Sequence, residues 1–306
     1  MESVPITVII TAYNREKFIL DAINSALNQT LDKNLYEIIV VSNFENEELS
    51  NICKQNDIEL ILSKNISLGA KIKEGIIASH GDIISFLEDD DQFMPGKLSL
   101  IFKKMVQEKV VYYHNMFEAI DETGSKINYF KGNPFFNLSC MSIRHDIIRV
   151  EALNEITELE ELFYLSALDS GKTLVKYGKV LTKYMVHPSQ SHSPSKSIES
   201  LKKQKEKGYA KYENERKIMS EYFKSARAKR FMKAISTSNA IEMFCLDANK
   251  KPNNVLHYFS NSNIPLRIRT KRFKKYLLTR LFPKKMNAYF NNRLKVEVEI
   301  SKEMLA

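Results

Sequence analysis

Asp82-Ile-Ile-Ser-Phe-Leu-Glu-Asp-Asp-Asp-Gln-Phe-Met-Pro95 is the stretch that decides the fold. Its first half is apolar and β-branched and reads as a buried strand. Its second half carries four consecutive carboxylates, Glu88 to Asp91. Such a row repels itself unless a cation neutralises it. Hard divalent cations take oxygen ligands, and Mg2+ sites commonly pair one or two carboxylates with substrate phosphates. A solvated acidic turn capping a helix near Pro95 is the plain alternative. The place of the row, at the end of an apolar strand, favours the metal–phosphate role.

Outward from this stretch the chain alternates. Ile6–Thr11, Tyr36–Val41 and Glu59–Leu62 read as strands. Between them, Glu16–Asn28, Glu45–Asn56 and Leu68–Ser79 carry apolar residues at helical spacing. This order predicts right-handed βαβ units and a mainly parallel sheet, with ligands beyond the carboxyl ends of its strands. Val110–His114 reads as a further strand and Glu158–Ser170 as a helix stopped by Gly171. Thr173–Val186 is strand-rich with a break at Gly178, and His187–Ser195 is a polar linker with two prolines. Ile198–Phe223 and Arg227–Ala248 read as two long helices.

The 306 residues allow one large domain or two smaller ones. No apolar run is long enough to span a bilayer, and no signal-peptide pattern opens the chain. Cys53, Cys140 and Cys245 are sparse and far apart, which fits a reducing cytosol rather than a disulfide or zinc framework. The net charge of +9 divides unevenly. Residues 1–195 hold 19 Lys/Arg against 27 Asp/Glu, a net −8. Residues 196–306 hold 27 against 10, a net +17. The predicted division is a catalytic domain over 1–195 and a basic, mostly helical region over 196–306.

Several blocks together carry a resemblance. Ile6-Thr-Val-Ile-Ile-Thr-Ala-Tyr-Asn-Arg15, Glu37-Ile-Ile-Val-Val41, Leu68-Gly69 through Gly75-Ile76 with Gly81-Asp82, and Phe86 to Pro95 follow one another in order. The chain resembles the family 2 glycosyltransferases of the GT-A fold over about residues 4–193. That resemblance implies a Rossmann-like, mostly parallel α/β sheet flanked by helices. It implies inverting transfer of a sugar from a nucleotide-diphosphate donor to an acceptor hydroxyl, assisted by Mg2+ or Mn2+. It places Thr11 and Tyr13 in the nucleotide pocket, Glu88 and Asp89 toward the ribose and diphosphate, and Asp90 on the metal. A metal there would neutralise charge building on the departing diphosphate.

The sequence departs from the family pattern in places. Ser42-Asn43-Phe44-Glu45 stands where Asp-Asp-Gly-Ser is usual, and the first Asp reads the base. Asn43 can offer an amide to a base edge, or it is a plain loop residue. Lys73 replaces a usual Asn; Lys71 and Lys73 reach toward a diphosphate or are solvated helix lysines. Inversion needs a carboxylate to take the acceptor proton. Counting back from Gly171 along the family's Glu-Asp block selects Glu160, with Glu161 next; acidic residues at a helix start are the alternative. Ser166 stands where the block has Arg. Tyr184-Met-Val-His187 resembles a family element that makes His187 a second metal or phosphate ligand, with His192 a weaker choice.

Nine Lys/Arg between Arg267 and Lys285 alternate with Leu, Ile, Phe and Tyr. This basic amphipathic segment predicts contact of residues 265–306 with an anionic membrane surface, or packing of the helix on the catalytic domain. No nucleic-acid motif accompanies the charge, so nucleic acid is not the expected partner. The acceptor is expected to be a glycan or lipid-linked. The expected location is the cytoplasm, peripheral on the inner membrane face. Two rivals stand beside the enzyme: a non-catalytic protein of the same fold, and a sugar nucleotidyltransferase. The latter usually has a Gly-rich loop after the first strand, which Thr11–Lys17 lacks.

Overall fold

A computed structural model describes residues 4–127, 137–176, 178–187, 197–247 and 266–303, with 250, 252 and 255 between. The chain forms two compact units, Met1–Val186 and His187–Ala306. Most of the polar linker reading, and His192 with it, lies outside the described residues.

The first unit is built on β1 (Ile6–Ala12), all seven residues of which are buried. A strand buried on both faces needs a covered sheet. β1 lies parallel between β2 (Tyr36–Ser42) and β4 (Ile83–Glu88), and β3 (Glu59–Leu62) extends β2. α1 (Glu16–Leu27) buries Ile19 and Ile23 in one apolar cluster with Ile6, Val8 and Ile10. α2 (Glu47–Gln55) follows β2, with Asn46 capping its Leu49 N–H. α3 (Leu68–Ala78) packs closely on β1. A Cβ on Gly75 would lie 2.7 Å from Ile9 Cγ2, so this contact requires glycine.

Beyond β4 the sheet departs from simple alternation. β5 (Gln92–Phe93) and α4 (Lys97–Ile101) follow the acidic row, and a π-helical turn continues α4 over Phe102–Gln107. β6 (Tyr112–His114), β7 (Met116–Ile120) and β8 (Met141–Arg144) come next, then α5 (Leu159–Asp169), β9 (Leu174–Val175) and β10 (Val180–Met185). Among the described residues the main sheet runs β3-β2-β1-β4-β8-β6-β9, and β5-β10-β7 form a small second sheet. β8 is antiparallel to both β4 and β6, so the sheet is mostly rather than wholly parallel. This is the α/β, GT-A type of fold.

The second unit is helical: α6 (Ile198–Tyr222), α7 (Ala226–Leu246), α8 (Leu266–Leu281) and α9 (Pro283–Glu303). Ser197 opens α6 with a capping box. α8 lies on α7: the Phe244 and Tyr276 rings are 5.7 Å apart, and Lys275 Nζ donates to Glu242 at 3.0 Å. No described helix is long and apolar enough to cross a membrane.

Candidate active site

β1 and β4 end side by side, with Thr11 in register with Glu88 and Ile9 with Phe86. Side chains alternate along a strand, so Ile9, Thr11, Phe86 and Glu88 share one face. α3 covers Ile9, and α5 covers Phe86. The Phe163 ring stacks on Phe86 with centroids 4.6 Å apart and planes 17° from parallel. Tyr164 meets Tyr112 edge-on at 5.7 Å. Glu160 is three residues before Phe163, one turn along the same helix side. The aromatic stack therefore holds the first turn of α5 over the end of β4.

Electrostatics shows the same proximity. Burial holds the Glu88 carboxyl well above the ordinary range; Asp90, Asp91 and Glu160 add to this and Arg15 opposes it. Burial likewise raises the Tyr112 phenol, with Tyr164 and Glu160 adding. Glu161 is half-buried in the same turn. Ser166 turns its hydroxyl back onto the Leu162 carbonyl at 3.0 Å.

The acidic row is threaded into the fold rather than solvated. Asp89 and Asp91 are buried, and Asp90 nearly so. Asp89 N–H donates to Thr11 O at 3.2 Å, and Asp89 Oδ2 accepts from Tyr13 N–H at 3.1 Å. Arg15 forks across the row, one arm on Asp89 and the other on Asp90 Oδ2 at 2.7 Å. Burial pushes Asp89 up to about 6 against the pull of Arg15. Asp91 accepts from Met185 N–H at 3.1 Å, and burial with the Asp90 charge pushes it up to about 7. The simple capping turn allowed by the sequence is thus set aside.

Lys71 is corrected from a solvated helix lysine. It is 1% exposed, and its Nζ lies 4.1 Å over the Tyr13 ring. Burial lowers its pKa, while Glu74 and Asp89 oppose this. Asn43 is engaged with Asn14: its Oδ1 accepts from Asn14 N–H at 2.9 Å and its Nδ2 donates to Asn14 Oδ1 at 2.6 Å. That clamp holds Asn14 at φ 55°, a left-handed turn that asparagine tolerates. His187 is buried two residues past β10, where the second unit begins.

Sequence reasoning missed the support beneath the row. Lys97 is fully buried, donates to the Ser139 carbonyl and Thr182 Oγ1, and lies 3.7 Å over the Phe93 ring. Burial lowers it to about 7, with Cys140 and Asp91 opposing. Ser139 Oγ accepts from Glu88 N–H at 2.9 Å. Lysines are seldom buried, so nothing in the local pattern marks Lys97. Arg15 carried a readable signal: a cation just past β1 faces the anionic end of β4.

Carboxylate oxygens are the donor type that a hard divalent cation takes. Glu88, Asp89 and Asp90 lie within charge reach of Arg15, and burial with neighbouring carboxylate charge raises Glu88, Asp89 and Asp91. Among the described residues, no group of three or more His, Cys, Asp or Glu side chains encloses a metal by itself. A cation held by one or two carboxylates and substrate phosphates needs no such group. A depression of about 480 Å3 lined by Leu20, Asn24, Glu47 and Gln55 lies on the α1–α2 surface, away from the row.

The profile of Glycosyl transferase family 2 matches residues 7–152. An uncharacterized glycosyltransferase of Rickettsia bellii is 33% identical over 139 residues, covering 42% of this chain and 20% of that protein. The putative glycosyltransferase EpsH of Bacillus subtilis is 26% identical over 133 residues, covering 42% and 38%. The match thus spans well under half of either relative's length. S. aureus TarS 1–349 in complex with UDP-GlcNAc superposes with a TM-score of 0.54 at 14% identity, covering 97% of this chain and 89% of that one. The mannosyltransferase PcManGT of Pyrobaculum calidifontis, in complex with GDP-Man and Mn2+, gives 0.54 at 10% identity, covering 96% and 86%. These structures share the fold. Strands, acidic row and sequence profile agree over residues 7–152, and over that stretch the chain is similar to glycosyl transferase family 2.

Proposed function

We propose that residues 1–195 form a catalytic domain that transfers a sugar from a nucleotide-diphosphate donor to an acceptor hydroxyl, with inversion. The observation that carries this reading is the Phe86–Phe163 stack, which keeps Glu160 within charge reach of Glu88 at the end of β4. Thr11, Tyr13, Lys71, Glu88 and Asp89 form the donor side, and Asn43 supports it through Asn14. Structural neighbours in complex with UDP-GlcNAc and with GDP-Man and Mn2+ support a nucleotide-sugar donor.

Glu160 takes the proton of the acceptor hydroxyl as its oxygen attacks the anomeric carbon. The bond from that carbon to the diphosphate oxygen breaks, and the nucleoside diphosphate leaves with the electron pair. Asp90 would hold Mg2+ or Mn2+, and the ion would supply positive charge to the leaving diphosphate. Lys71 and Arg15 add cationic charge beside it. The acceptor is a glycan or lipid-linked hydroxyl, met at the cytoplasmic face of an anionic membrane through residues 265–306.

Glu160→Gln should lower turnover roughly 10²- to 10⁴-fold and leave donor affinity nearly unchanged. Asp90→Ala should abolish metal-dependent donor binding. Wild-type turnover in both variants would refute the assignment. A second reading, a non-catalytic protein of the same fold, is favoured by one observation: Arg15 already pairs with Asp89 and Asp90. Donor hydrolysis that requires Mn2+ and stops with EDTA decides for the enzyme.

A further inference from the structure

Among the described residues of the second unit, the exposed large hydrophobic side chains are Leu277, Leu281, Phe282 and Tyr289, at 37, 64, 51 and 55%. All four lie around one point, where α8 ends at Leu281 and α9 begins at Pro283. Their direction follows from what α8 already uses. Thr279 is buried and sits 3.3 Å from Cys245 Sγ of α7. Leu277 and Leu281 each stand two residues from Thr279, about 200° round the helix, and so point away from α7. The helical path continues through the junction, since Phe282 N–H bonds to Leu278 O and Met286 N–H to Phe282 O. Phe282 and Tyr289, seven residues apart, therefore share a side.

The charge around this tip has one sign. From Leu266 to Val296 the sequence holds eleven Lys/Arg and no Asp or Glu. Arg280, Lys284 and Lys285 are exposed beside the apolar pair, and Lys285 Nζ lies 5.9 Å from the Phe282 ring centre. Apolar side chains flanked by cations match a lipid headgroup layer, where the first enter the acyl boundary and the second meet phosphates. A second copy that met this patch with its own same patch would set like charges against each other and be repelled.

We infer that the α8–α9 junction is a membrane-insertion tip for an anionic bilayer: Leu281 and Phe282 enter the lipid, and Arg280, Lys284 and Lys285 contact the headgroups. Leu277 and Tyr289 form its shoulders. This assignment deepens the membrane reading of residues 265–306 and rests on it, not on the catalytic chemistry.

The test is co-sedimentation of the full chain with phosphatidylcholine vesicles and with vesicles that also contain phosphatidylglycerol. Wild type should bind the anionic vesicles and not the neutral ones. Leu281→Ser with Phe282→Ser should weaken binding about 10- to 100-fold. Lys284→Glu with Lys285→Glu should weaken it about 30-fold or more and flatten its salt dependence. Circular dichroism checks that both variants keep their helices. Wild type that ignores anionic vesicles overturns the membrane reading and the tip together. Wild type that binds while the Leu281/Phe282 variant binds equally overturns the tip alone. Self-association that the same variant abolishes, with vesicle binding unchanged, assigns the patch to a second copy and also overturns it.

Discussion

Asp89 and Asp91 sit at about 6 and about 7, above the roughly 3.9 of an unfolded aspartate. The folded chain keeps protons that the unfolded chain has released. Their stabilising contribution is therefore full below about pH 4 and is lost as pH rises through 6 and 7. Lys97, lowered to about 7, is protonated in both states below that point and does not oppose the trend. The metal-free melting temperature should fall across this window. Mn2+ competes with those protons, so it should raise the melting temperature more at about pH 7.5 than at about pH 5.5. Scanning fluorimetry at several pH values measures both; a Mn2+ shift that is pH-independent, or larger in acid, rejects it. Arg15 tunes the same window. Arg15→Met removes the cation that pulls Asp89 down, so the fall in melting temperature should move to higher pH.

At the scale of elements, α5 is held by its ring contacts as much as by its caps. Phe163→Leu keeps most of the buried volume and should cost less than about 1.5 kcal/mol in urea unfolding. It also removes the flat stack on Phe86 that fixes the helix start. Turnover should fall about tenfold or more while donor KM changes little; a raised KM with turnover unchanged would place the effect on donor binding instead. The sequence was readable where packing is local. β1, β2, β3 and the helices between them follow from β-branched runs and helical spacing, and Glu59–Leu62 matches residue for residue. It was unreadable where pairing is distant. β7 and β8 are short, and β8 is placed by β4 more than fifty residues earlier, through bonds such as Ser85 to Ser142 at 2.7 Å. The family's block, counted back from Gly171, could point to Glu160 with Glu161 next but could not see Phe86 waiting for Phe163. The buried state of Lys71 and Lys97 depends in the same way on neighbours far along the chain.

Over the whole molecule, the charge asymmetry maps onto two differently built units. The first is a sheet whose acidic row is buried at strand ends; the second is a set of helices with one-signed charge near its last junction. Like charges destabilise a compact state, and salt screens them. Raising ionic strength should therefore stabilise the second unit more than the first.

The three buried cysteines make that difference measurable. Cys53 lies on α2, Cys140 just before β8 under the acidic row, and Cys245 on α7. Burial raises all three thiols, Cys53 to about 11 and Cys140 to about 12, so none reacts while its region stays closed. A thiol-modifying reagent thus records openings rather than surface chemistry. Cys245 should be labelled at a rate that added salt slows, Cys53 at a rate salt barely touches, and Cys140 more slowly once Mn2+ ties the row above it. Mass spectrometry of the three labelled peptides would separate these clocks in one sample, giving each region its own opening free energy.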